Sequence, residues 1–255
     1  MEKRRVKLII AYDGTNYVGW QKQINGIAVE EILNKELTRL LGEEIEVIGA
    51  SRTDSGVHAL GNVAVFDTVS KIPPEKMSFA LNQRLPNDIR IQESKEVSLD
   101  FHPRYQDTIK TYEYKILNRR FDIPTMRLYH YFMYMPLDEN KMAEAAKYLV
   151  GEHDFKSFCS ARSQVKDTIR TVTDLSVTKS GDVITIRISG NGFLYNMVRI
   201  IAGTLIKVGL NVYPPEHVKE ILEAKDRNVA GPKAPARGLT LIDINYLSEN
   251  SSNII

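Results

Sequence analysis

The chain has 255 residues, with 34 Lys and Arg against 32 Asp and Glu and 43% hydrophobic residues; this is the composition of a globular protein long enough to bury a substantial core. A formal net charge of +2 does not by itself announce a nucleic-acid binder, so the placement of charge carries that question. The single cysteine, Cys159, excludes an intrachain disulfide, and no stretch is apolar for long enough to be a signal peptide or a membrane span, so a cytoplasmic protein is expected.

The first element is a strand. From Val6 to Asp13 apolar residues alternate (Val6, Leu8, Ile10, Tyr12) and the pattern stops at Gly14. From Val29 to Leu41 the apolar residues Val29, Ile32, Leu33, Leu37, Leu40 and Leu41 follow helical spacing, and Gly42 ends the element. Two further strands, 45–50 and 62–67, flank the run Gly49-Ala50-Ser51-Arg52-Thr53-Asp54-Ser55-Gly56-Val57-His58-Ala59-Leu60-Gly61, whose small and turn-capable residues let backbone approach a ligand closely. Pro73-Pro74 opens a helix reaching Arg84, and a strand follows over 89–95. A second unit repeats the plan with a strand over 111–116, a helix over 139–149, strands over 171–178 and 183–188, helices, and a last strand over 239–246.

A local echo joins the two halves. Leu40-Leu41-Gly42-Glu43 leads to Ser51-Arg52-Thr53-Asp54, and Leu149-Val150-Gly151-Glu152 leads to Ala161-Arg162-Ser163-Gln164 at nearly the same distance, with Gln in place of Asp. A duplicated chain of this kind would hold one nucleophile. Hairpin-like strand pairs interrupt any strict βαβ alternation, so the expected class is α+β, two similar α/β-sandwich halves with mainly antiparallel sheets. The expected division is an N-terminal half over 1–105, a C-terminal half over 106–247 and a disordered tail over 248–255.

Several residues invite a chemical reading. Arg52 and Asp54, two apart, would share a face in extended geometry, although an isolated Asp in a Gly/Ser loop ordinarily caps a turn. Tyr112 and Tyr114 share one side of a strand, where a core role is the ordinary explanation. Arg199 lies in the apolar helical run from Phe193 to Val208, whose core stripe is Val198, Ile201, Ala202, Leu205 and Val208, with Ile200 and Ile206 outside it; a cation embedded there wants an anionic partner. His58 and His102 lack metal-ligand spacing and read as structural hydrogen-bonding groups, and no metal site is expected. Trp20 reads as part of a packed loop and Cys159 as an inert core residue. Basic residues gather near these segments (Arg84, Arg90, Arg104, Lys110, Arg119, Arg120, Arg162, Lys166, Arg170), while acidic ones gather on the predicted helices.

The run around Asp54 strongly resembles the R-T-D-x-G-V-H-A motif of the TruA family of tRNA pseudouridine synthases. The resemblance continues in order along the chain through Tyr12-Asp13-Gly14-Thr15-Asn16-Tyr17-Val18-Gly19-Trp20-Gln21, Asn82-Gln83-Arg84-Leu85-Pro86, Asp100-Phe101-His102-Pro103-Arg104, Lys110-Thr111-Tyr112-Glu113-Tyr114, Asn196-Met197-Val198-Arg199 and Ala236-Arg237-Gly238-Leu239. Ser51, Ser55 and Pro103 depart from the usual family residues without removing a chemical group. The resemblance implies the pseudouridine synthase fold and isomerisation of uridine to pseudouridine in the anticodon stem-loop of tRNA, about positions 38 to 40. It also implies a homodimer and no membrane association.

The same resemblance implies Asp54 as nucleophile, Arg199 as its ion-pair partner, Tyr112 stacking on the uracil with a possible part in proton transfer, and Arg52 holding the extruded nucleotide. Arg52 could instead pair with Asp54. The reaction breaks the N1–C1′ bond, turns the uracil and forms C5–C1′ without redox change, so no cofactor is expected. The attack falls on C1′ or on C6 of the base. A carboxylate excluded from water can be raised by about 3 to 5 pH units, and a neighbouring guanidinium offsets roughly 1 to 3 of them, which is why the chemistry asks for an arginine.

Overall fold

The N-terminal alternating run becomes a central strand. In a computed structural model, which describes residues 2–160, 165 and 167–247, β1 (Arg4–Tyr12) buries Val6, Leu8, Ile10 and Tyr12. Lys7, also buried, lies over the rings of Phe101 and Tyr246 at 5.4 and 5.1 Å. Helix α1 (Val29–Leu41) buries Val29, Leu33 and Leu37, and β2 (Ile48–Gly49) and β3 (His58–Thr68) follow. After a 3-10 turn over Pro74–Lys76 come α2 (Met77–Asn82) and β4 (Ile89–Val97). β1 pairs antiparallel with both β3 and β4, Leu8 facing Ala64 on one side and Ser94 on the other.

The second half continues with strands and helices of its own. β5 (Thr108–Asn118), β6 (Tyr131–Met133), α3 (Glu139–Ala146), β7 (Gly151–Asp154), β8 (Ile169–Ser180), β9 (Val183–Gly190), α4 (Met197–Gly209), α5 (His217–Ala224) and β10 (Leu239–Tyr246) follow in chain order. β5–β9–β8–β7 is an antiparallel run with Tyr112 facing Ile188 and Tyr114 facing Ile186, while β6 pairs parallel with the end of β5. The fold is thus α+β with mainly antiparallel sheets. Contacts group the chain through Asp107, together with described residues from Leu241 onward, into one unit and Thr108–Thr240 into another. Most of β10 therefore packs with the first unit, beside β3, and a single cut near residue 105 does not describe it.

Several element limits differ from the sequence expectation for local reasons. The strand expected over 45–50 shrinks to Ile48–Gly49 because α1 side chains take its amides: Thr38 Oγ1 accepts from Ile45 N–H at 3.0 Å and Asn34 Oδ1 from Val47 N–H at 2.8 Å. The helix expected to reach Arg84 stops at Asn82, whose side chain instead both donates to and accepts from the backbone of Ile91, each at 2.8 Å. The helix expected over 139–149 tightens after Ala146 into a 3-10 turn over Lys147–Leu149.

Helix α4 starts at Met197 rather than Phe193, because Asn196 adopts φ 62°, a left-handed conformation that Asn tolerates and a helix interior does not. It is also buried all round, Ile200 and Ile206 included, where an outer face was expected. β6 and β7 had too short a pattern to be expected. Ala161, Arg162, Ser163, Gln164, Lys166 and the expected tail over 248–255 lie outside the described residues.

Candidate active site

In the first unit the motif loop is held by its backbone and its alternate side chains. Ser51 and Thr53 are buried, Arg52 is exposed and Asp54 is half-buried, so the segment is extended and its two charged groups lie on the face away from Ser51 and Thr53. Tyr12 Oη and Thr53 Oγ1 share a hydrogen bond of 2.7 Å, and Asn62 Nδ2 donates to the Ser51 carbonyl at 3.2 Å. The chain on the other side clamps Asp54. Trp20 N–H donates to Thr53 O at 3.1 Å, Gly19 forms an antiparallel bridge with Asp54, and Val57 N–H returns to Asp54 O at 3.1 Å. Gly19 has φ 110° and a Cβ there would sit 2.5 Å from Thr53 O, so only glycine permits this approach.

Arg52 stands in a charged neighbourhood that the sequence did not reveal. Burial, and then repulsion from Arg52, lower the pKa of Arg104, with Glu30 opposing. Burial raises that of Glu30 against the pull of Arg104 and then Arg52. Glu30 is in the first turn of α1, and Arg104 Nε donates to the carbonyl of Gly49 at 2.7 Å, pinning the start of the motif loop. Glu30 had no signal of its own, since it looked like part of a solvated helix face, and Arg104 was marked only by the run Asp100-Phe101-His102-Pro103-Arg104, without a role.

The second unit brings together Tyr112, Tyr114 and Arg199. Tyr112 is buried on β5 with its ring edge-on to Phe193 at 5.3 Å between centroids. Tyr114, two residues along the same face, is fully buried, donates to Pro235 O at 2.9 Å, and has its pKa pushed far up by burial with Arg199 opposing. Arg199 is 8% exposed; its Nε donates to Ala234 O at 2.8 Å and Nη1 to Asn196 Oδ1 at 3.2 Å. Consecutive carbonyls thus hold the arginine and the core tyrosine. Asn196, in turn, donates to Ser160 Oγ at 2.9 Å. No local pattern marks Asn196 and the Ala234–Pro235 carbonyls as acting together, because they meet only through the turn of α4.

The remaining candidates are structural. Trp20 is fully buried, which removes direct RNA contact and leaves the packed-loop reading. His58 Nδ1 accepts from the Gly14 N–H at 3.1 Å and lies 3.1 Å from Asp13 Oδ1. Asp13 also caps the turn at Thr15, accepting from its N–H at 3.0 Å. His102 accepts from Arg104 N–H at 3.2 Å and stacks on Tyr105. Cys159 is buried. Among the basic residues, Arg90 spends its donors on Leu85, Pro86, Ile89 and Asn87, Arg170 donates to Asp167 and Ile169, and Arg119 pairs with Asp182 at 3.2 Å.

Comparison with known proteins bears on this arrangement. A family model described as tRNA pseudouridine synthase matches residues 8–106 and 145–247. The tRNA pseudouridine synthase A of Thermoanaerobacter sp. (strain X514) is 51% identical over 95% of this chain and 100% of its own length. The tRNA pseudouridine synthase A 2 of Clostridium tetani (strain Massachusetts / E88) is 51% identical over 95% of this chain and 99% of its own. The tRNA pseudouridine synthase A of Brevibacillus brevis (strain 47 / JCM 6285 / NBRC 100599) is 47% identical, again over 95% of this chain and 100% of its own.

Proposed function

The chain belongs to the tRNA pseudouridine synthase family and isomerises uridine to pseudouridine in tRNA, and from that premise we propose that Asp54 is the nucleophile and that the target uridines lie in the anticodon stem-loop, about positions 38 to 40. The observation that carries the reading is the clamp on Asp54. Its backbone is fixed by Gly19 on one side and Val57 on the other, while the side chain lies on the face shared with Arg52. A carboxylate held in this way reaches an extruded nucleotide without ordering cost at the moment of attack.

Arg199 supplies the counter-charge to the Asp54 carboxylate, with its guanidinium oriented by the neutral acceptors Ala234 O and Asn196 Oδ1. Tyr112 supports the uracil, its ring braced by Phe193. Arg52 holds the nucleotide out of its stack, in a neighbourhood it shares with Glu30 and Arg104. The active species is a homodimer in the cytoplasm, where two weakly basic surfaces join into one groove for tRNA backbone. No helix among the described residues is long and apolar enough to cross a membrane.

Asp54→Asn tests the assignment directly, because it keeps shape and removes charge. Pseudouridine formation in purified tRNA is expected to fall below detection while tRNA binding and thermal stability stay close to wild type. Near-normal turnover would remove Asp54 from the role.

A further inference from the structure

Residues 18–27 form a short hairpin beside the motif loop, and its apex carries a residue that the fold does not explain. Val18 N–H donates to Ile27 O at 3.0 Å, Gln23 and Gly26 form an antiparallel bridge, and Gln23 Nε2 donates to Val18 O at 2.9 Å. The turn is therefore Gln23-Ile24-Asn25-Gly26. Asn and Gly are usual in turns, but a β-branched apolar residue is not. Ile24 is 108% exposed relative to a free residue, so its side chain buries nothing and adds no stability to the fold. Local breaches of this kind, without a compensating contact, are where function is to be sought.

The base of the hairpin is tied to the proposed nucleophile itself. Gly19 bridges Asp54 and Trp20 N–H binds Thr53 O, so the hairpin starts from the catalytic loop. Ile24 is five residues beyond Gly19, a reach of at most about 18 Å, or roughly five steps of a nucleic-acid strand at 3.4 Å each. A paired uridine must leave its stack to meet Asp54, and an apolar side chain entering the gap is a general way to offset the lost stacking.

We propose that Ile24 is an intercalating wedge that enters the stem beside the target uridine and holds open the gap left by its extrusion. The proposal rests on the uridine-isomerising site around Asp54, and its role is separate from that of Arg52, which contacts the extruded nucleotide. A wedge matters only where stacking and pairing have to be broken. Its effect must therefore depend on whether the target uridine is paired.

The test uses the full-length protein and two stem-loop RNAs that differ only in the base opposite the target uridine, adenine in one and a mismatch in the other. Single-turnover pseudouridine formation is measured for wild type, Ile24→Asn and Ile24→Met. Asn suits the turn, so folding is safe, and it is expected to slow the paired substrate by about tenfold or more while changing the mismatched one by less than about twofold. Ile24→Met, still apolar and long, should stay within about threefold of wild type on both. Equal slowing on both RNAs, or no slowing on the paired one, overturns the wedge. Near-normal turnover of the mismatched RNA by Asp54→Asn would instead overturn the reading of the Asp54 site on which the wedge depends.

Discussion

Tyr112 and Tyr114 show how two residues with one sequence pattern are separated by their partners. Tyr114 is fully buried with its hydroxyl committed to Pro235 O, whereas the Tyr112 ring meets Phe193 edge-on at a site end of the same strand face. Stacking and proton transfer at Tyr112 are separable by substitution. Tyr112→Phe keeps the ring and loses the hydroxyl, and Tyr112→Ala loses both. We expect Phe to be slower than wild type in single-turnover pseudouridine formation and Ala to lose a further factor of ten to a hundred or so, matching the roughly 1 to 3 kcal/mol of an aromatic–base stack. A Phe variant as fast as wild type would leave stacking as the only contribution. Sequence alternation placed both rings on one face, and both are buried there; the partner each one meets depended on what lay opposite, and that is not encoded locally.

At the scale of elements, α4 and the segment that follows α5 act as one device. Gly203 is packed so tightly under residues 230–234 that a Cβ would fall 1.7 Å from Pro232 O, and Gly231 N–H donates to Thr204 Oγ1 at 3.0 Å. This close approach brings Ala234 O to Arg199 Nε. Gly203→Ala therefore pushes away the carbonyl that orients the arginine. Overpacking of this kind costs about 1 to 3 kcal/mol, which in a chain of this size lowers Tm by roughly 2 to 4 °C per kcal/mol. We expect kcat to fall more than KM rises. An alanine variant with wild-type Tm and kcat would show that the segment does not position Arg199. The apolar character of α4 was legible from its sequence, but burial on every side was not, because the covering segment carries no periodic pattern.

For the whole molecule, each unit holds a carboxylate whose titration links stability to pH. The Arg5 guanidinium, joined by Lys3, holds Asp67 below the usual carboxylate range against the opposing effect of burial. The Thr168 hydroxyl, with Lys225, does the same for Asp154. A depressed folded-state value means that the unfolded chain binds protons first. This stability is therefore complete above the ordinary unfolded value, about 3.9, and is lost as pH falls from there through the depressed values. Acid unfolding followed by circular dichroism should show that Asp67→Asn and Asp154→Asn are each less stable than wild type near neutrality. Each should also decline less steeply below about pH 4. Parallel acid-unfolding curves for variant and wild type would remove these two groups from the acid limb.

The sequence by itself determined the elements with strong local periodicity and the family motif of the loop around Asp54. Helix α1 and strand β10 end where the pattern said they would, and Arg52 and Asp54 stand two apart, a spacing that puts them on one face once the segment is extended. Only the tertiary structure decided what surrounds them: the burial of Trp20, the field of Glu30 and Arg104 on Arg52, and the carbonyls that hold Arg199 and Tyr114. Periodicity reports neighbours within a turn of helix or a pair of strand residues. The hydrogen bonds that place Arg199 and Tyr114 join residues 35 and 121 positions apart, and such separations are set by packing of whole elements, which leaves no repeating mark along the chain.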